Sequence, residues 1–195
     1  NWQENHALEF QKKVAAHLQN ATTIDDLRRP LFEIKKATRY EIELPCNDHA
    51  MVVYYQAQTN DVNEKVKMMA LNHLMNQDYF NELRTTQQLG YLVGAGYAPF
   101  NTRAGIAFYI QSPKFDSKTL LHRHTHFVNQ YLSNINELDE HSWQQQKHGL
   151  KTHIAEKDKN LRLRSQRLWL AIGNRDHNFD MQKRLLCALN MLTLQ

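Results

Sequence analysis

The amino-acid sequence predicts an α+β domain in which an antiparallel or mixed sheet packs against helices. Three observations carry that prediction. Two pairs of short apolar or alternating runs, 40–44 with 51–57 and 91–98 with 105–111, read as strands. Between the pairs lies a long stretch of helical spacing, Asp61 to about Arg84, with no Pro or Gly inside it. After Pro113 there is no further proline, and apolar residues recur at helical spacing to the end.

Each element has a local reason. Ala7, Phe10, Val14 and Leu18 form one apolar stripe, so residues 4–19 read as an amphipathic helix. Thr22 to Asp26 supplies capping residues for a short second helix that breaks near Pro30. Tyr40, Ile42 and Leu44 alternate with Glu41 and Glu43, the pattern of a half-exposed strand ending at Pro45. Asn47 and Asp48 make a turn, and Met51 to Ala57 is apolar enough for an inner strand. The two runs are expected to pair as a hairpin. Beyond the long helix, the runs from Tyr91 and from Gly105 form a second hairpin, with Gly90, Gly94 and Gly96 marking bends or close backbone approach.

The last third is read as helices. Leu120, Phe127, Val128, Tyr131 and Ile135 form one stripe. Trp143, Leu150 and Ile154 form a second behind a cap at Asp139, and Leu161, Leu168, Trp169 and Ile172 a third closed by Gly173. Asp180 is expected to cap a final helix carrying Leu185, Leu189 and Leu192.

The totals limit the functional classes. With 195 residues and 42% hydrophobic content the chain supports one substantial domain or two small ones. No run of eighteen apolar residues is present, so no membrane-spanning helix and no membrane partner is expected. The net charge of +4 is a mild excess, too small to argue for nucleic acid. Cys46 and Cys187 are too few for a disulfide framework or a cysteine zinc site. The opening NWQENHALEF lacks a signal-peptide pattern, and both ends read as those of a piece cut from a longer polypeptide.

Several clusters invite a chemical reading. In a strand, His122, His124 and His126 would share a face and converge on a metal. The spacing here is helical, and two residues are then roughly 200° apart, which turns His124 toward Leu120 and Phe127. Only a surface pair, His122 and His126, remains. Glu137 to His141 (ELDEH) matches the inverted zinc-protease motif in its last two letters alone, and neither HxxEH nor HExxH occurs in the chain. Arg162, Arg164 and Arg167 are either a phosphate contact or a solvated helix face, and such clusters usually are the latter. Arg84 and Tyr91 stand seven residues apart across a helix-to-strand junction. A cation at a helix C-terminus and a phenol opening a strand are also ordinary structural features.

The stretch around them is more specific. Phe80-Asn81-x-Leu83-Arg84-Thr85-x-x-Gln88-Leu89-Gly90-Tyr91 resembles the motif in the last of the four homologous domains of the insulinase, or pitrilysin, family of zinc peptidases. Tyr54-Tyr55-Gln56, Gln111-Ser112 and Phe179-Asp180 resemble the same family, so the likeness runs from about Arg39 to Gln195. It implies an insulinase-type peptidase domain over 39–195, truncated at its C-terminus, with 1–38 as helical lead-in from the preceding domain. It further implies that zinc is held by HxxEH in another domain of the full-length protein, and that no metal and no cofactor is held by this segment. The segment alone is expected to be inactive. Arg84 and Tyr91 are expected to reach the bound peptide, Tyr91 as a donor to the carbonyl oxygen or oxyanion and Arg84 as a hold on the peptide backbone. The implied partners are the other domains of the same peptidase and a peptide substrate, the latter also a candidate for strand addition along residues 88–98. The resemblance points to a periplasmic location. An alternative is an inactive peptide-binding or scaffold subunit that has lost its catalytic partner.

Overall fold

The computed structural model describes residues 3–19, 31–174 and 178–194. The chain runs through helix α1 (Glu4–His17), strand β1 (His49–Gln56), helix α2 (Val62–Phe80), strands β2 (Leu92–Tyr97) and β3 (Gly105–Ser112), and helices α3 (Ser117–Asn134), α4 (Glu140–Ala155), α5 (Leu161–Gly173) and α6 (Met181–Met191). It is an α+β fold. The expected short helix at 22–26 lies outside the described residues.

The strands form one antiparallel sheet in the order β1-β3-β2, so β3 is central and β1 and β2 are the edges among the described residues. Ile106, Phe108 and Ile110 of β3 point into the core while Tyr109 between them points out, the alternation the sequence predicts. On the core face these residues meet Met75, Tyr79 and Leu83 from the long helical stretch and Leu120, Phe127 and Val128 from α3.

A second core lies across α2, where Val66 and Ala70 meet Trp143, Leu150 and Ile154 of α4 and Leu189 of α6. The helix therefore carries two apolar stripes. At about 100° per residue, Val66 and Met75 are roughly half a turn apart, so α2 is covered on opposite sides. Its first turn is closed by Asp61, whose side chain accepts from the Asn63 N–H. The caps of α3 and α4 are Asp116 and Asp139, which accept from the backbone N–H of Thr119 and Ser142 at 2.8 and 2.9 Å.

Two expectations need correction. Residues 40–44 form no strand, and Tyr40, Ile42 and Leu44 are 82%, 80% and 67% exposed. The partner of β1 is β3, with Met51 opposite Ile110 and Tyr55 opposite Ile106. Alternation marks which side chains share a face but does not choose a neighbour. Here the β2–β3 hairpin offers a longer and more apolar edge than the five-residue run with two glutamates. The chain returns near β1 earlier: the Gln56 side-chain amide donates to the Phe32 carbonyl and accepts from the Ile34 N–H, both at 3.1 Å, as a strand's peptide group would. The second correction concerns Asp180. It stands at the N-cap of α6, yet its side chain makes no capping bond, and the Lys183 N–H bonds the Asp180 backbone carbonyl at 2.9 Å instead.

Helices α1 and α5 bury no side chain. In α5, Arg167 pairs with Asp158 at 2.7 Å, and Arg162 and Arg164 are exposed. No described helix is long and apolar enough to cross a membrane.

Candidate peptide-contact site

The site begins where α2 stops being regular. After Phe80 the backbone widens into a π-helical turn over Asn81–Thr86, a distortion often found where a side chain is re-aimed. Leu83 inside this turn and Leu89 just beyond it are buried, and the Leu89 N–H bonds the Leu83 carbonyl at 3.0 Å. These two anchors hold the intervening residues on the outside. Arg84 is half-buried and lines an open depression of about 370 Å³ with Phe80, Thr85 and Gln88. Its guanidinium, which carries five donors and no acceptor, makes no hydrogen bond or ion pair with any described residue.

The chain then reverses sharply into β2. Gln88 takes the left-handed conformation at φ 51°, which only a tight turn imposes on such a residue. Gly90 lies flat against β3: a Cβ there would sit 2.0 Å from the Gln111 carbonyl oxygen. The glycine of the Gln-Leu-Gly-Tyr run is thus required by backbone approach. Tyr91 follows immediately and is 54% exposed.

Three strand ends meet at Tyr91. Its hydroxyl donates to Oδ2 of Asp48, just before β1, and the Gln111 Nε2 near the end of β3 donates to the same oxygen at 3.0 Å. The bond to Asp48 is the foremost cause holding the Tyr91 phenol above its ordinary pKa. Arg84 and Tyr91 therefore both present polar groups to solvent, though no hydrogen bond joins them. Both expected site residues are accessible. The outer edge of β2, which starts one residue later, pairs with no described strand.

A second polar cluster lies in the interior. His124 of α3 is fully buried, as its place on the apolar side of the helix predicts. Its Nε2 lies 3.2 Å from the Tyr55 hydroxyl and its Nδ1 3.2 Å from that of Tyr79. In a neutral imidazole one ring nitrogen donates to one phenol and the other accepts from the second. Burial pulls the His124 pKa down to about 4 and pushes that of Tyr79 up. His122 and His126 face solvent. Among the described residues no three His, Cys, Asp or Glu side chains are placed to hold a metal ion.

Sequence reasoning missed Asp48, taken only as a turn residue, and the pairing of Tyr55 with Tyr79 through His124. The signal for the latter was in part present: an imidazole on an apolar helix face needs polar partners, though the spacing does not say which residues supply them.

Residues 70–169 match the family described as PQQ synthase PqqF-like, C-terminal lobe domain 4. The chain belongs to that family. It is a C-terminal domain of an insulinase-family peptidase, as the Arg84–Tyr91 stretch led one to expect. Among curated relatives it is 28% identical over 147 residues to the insulin-degrading enzyme of Homo sapiens, covering 75% of this chain and 14% of that one. It is 27% identical over 135 residues to a nardilysin-like protein of Arabidopsis thaliana, 68% of this chain and 13% of the other. Coenzyme PQQ synthesis protein F of Pseudomonas protegens is 26% identical over 146 residues, with 75% and 18% covered. The crystal structure of pitrilysin superposes with a TM-score of 0.84 at 18% identity, over 100% of this chain and 21% of that one. This insulinase-family domain thus spans about a seventh to a fifth of the length of the proteins it resembles.

Proposed function

We propose that this domain serves a zinc-dependent endopeptidase by closing the substrate chamber, with Arg84 and Tyr91 contacting the bound peptide at the bond to be cut. The observation that carries the reading is the presentation of these two side chains. A guanidinium with no partner among the described residues and an exposed phenol sit on one eight-residue segment that Leu83, Leu89 and Gly90 fix to the core. Surface arginines without an acidic partner are ready to bind carbonyl or carboxylate oxygen, and a phenol on a rigid turn costs little to orient.

The described residues do not fit the zinc itself, because no set of three ligands converges. On this proposal the metal and its chemistry belong elsewhere in the polypeptide, and this domain is inactive without it. What its own residues do is bind and orient. Arg84 holds a peptide carbonyl or carboxylate through its planar donors. Tyr91 donates its O–H to the oxygen on which negative charge grows as the peptide bond is attacked.

Substituting Tyr91→Phe in the complete polypeptide tests this directly. Turnover should fall by roughly a hundredfold, the effect of removing one fixed oxyanion donor, with KM little changed. A kcat within about twofold of wild type removes Tyr91 from the chemistry. Arg84→Ala should act mainly on KM, because the contact it loses is made by ground state and transition state alike. Unchanged KM and kcat together would take Arg84 out of the site.

A further inference from the structure

We propose that Asp48 is a positioning residue for Tyr91, a latch that holds the phenolic O–H until the substrate oxygen that gains negative charge during attack displaces it. The inference rests on the role given to Tyr91 above. A phenol has one O–H, and in this structure that O–H is given to the Asp48 carboxylate. While it is so held, the oxygen shows only lone pairs to anything approaching from the cleft. It can accept from an N–H but cannot donate to a carbonyl. Donation to the substrate therefore requires that the Asp48 bond be given up.

The carboxylate is built to wait in that position. Asp48 immediately precedes β1, whose first residue pairs with Ser112, while Gln111 beside it pairs with Leu92 of β2. Gln111 fixes the same Asp48 oxygen from the central strand. The acceptor is thus tied to the sheet on one side and presented to Tyr91 on the other. When the phenol swings away, the Gln111 bond remains and the carboxylate keeps a partner. Both Asp48 and Tyr91 border solvent, so water replaces the lost contact and the exchange is cheap.

The test is a double-mutant cycle in the complete enzyme, assayed on a peptide it cleaves. Asp48→Ala should raise kcat by roughly three- to tenfold, the range expected for releasing a part-exposed charge-assisted hydrogen bond, while KM stays within about twofold. The gain should vanish in a Tyr91→Phe background, and Asp48→Glu should return kcat to the wild-type value. If Tyr91→Phe lowers kcat but Asp48→Ala leaves it unchanged or lower, the latch is overturned while the phenol keeps its role. If Tyr91→Phe leaves kcat within about twofold, the role itself fails and the latch goes with it. Should Asp48→Ala not fold, Asp48→Asn keeps the shape and weakens the acceptor. A smaller rise in kcat then supports the latch, and no rise overturns it.

Discussion

Tyr79 and Tyr91 each hydrogen-bond a titratable partner through the hydroxyl, and the two places could hardly differ more. Tyr79 lies wholly inside, against a histidine that is also wholly inside. Tyr91 lies half in water, against a carboxylate at the end of a strand. In the interior, desolvation decides the protonation state, so the partner is a neutral imidazole and the network serves packing. It ties α3 to β1 through Tyr55 and to α2 through Tyr79. At the sheet end a charged partner is tolerated because water shares the load, and the bond can open without stranding a buried group. A hydrogen bond that must persist belongs in the first setting. One that must exchange belongs in the second.

The contrast can be broken most forcefully at His124. Replacing it with Leu strands the buried Tyr79 hydroxyl and loosens Tyr55, and should cost about 2–4 kcal/mol of stability by urea denaturation. A pH series sharpens the point. The folded-state pKa of His124 is about 4 against 6.5 for an ordinary histidine, so between those values the unfolded chain binds the extra proton. Stability from this group is whole above pH 6.5 and falls as the pH drops toward 4, by about 3 kcal/mol in all. The gap between wild type and His124→Leu should narrow by that amount over the same window, and a constant gap would mean that His124 is already charged in the fold. The smallest effect is expected at the exposed tyrosine, where Tyr91→Phe should move Tm by no more than about 2 °C. A larger shift would make the Tyr91–Asp48 bond structural and erase the distinction drawn here.

How much of this could be read from the chain alone varies with the range of the interaction. The helix from Asp61 needed only its own cap and spacing, and it forms where expected. The burial of His124 followed from its angle on a helix whose apolar side was plain from Leu120 and Phe127. The strand at 40–44 was a failure of a different kind. Its alternation is real, but pairing depends on what else competes for the edge of β1, and no local pattern reports that. The two faces of α2 show the same limit, since helical spacing marks the helix but does not say that α4 and α6 cover one side of it and the sheet the other.

By itself, then, the sequence determined the fold class, the segments that become helices, and the Arg84–Tyr91 stretch that marks the family. These depend on neighbours within a few residues, where periodicity and capping act. The tertiary structure alone decided that β1 lies against β3, that Tyr55 and Tyr79 close on His124, and that Asp48 accepts the hydrogen bond of the Tyr91 hydroxyl. Those contacts join residues more than forty positions apart, and their partners are chosen by the packing of the whole domain.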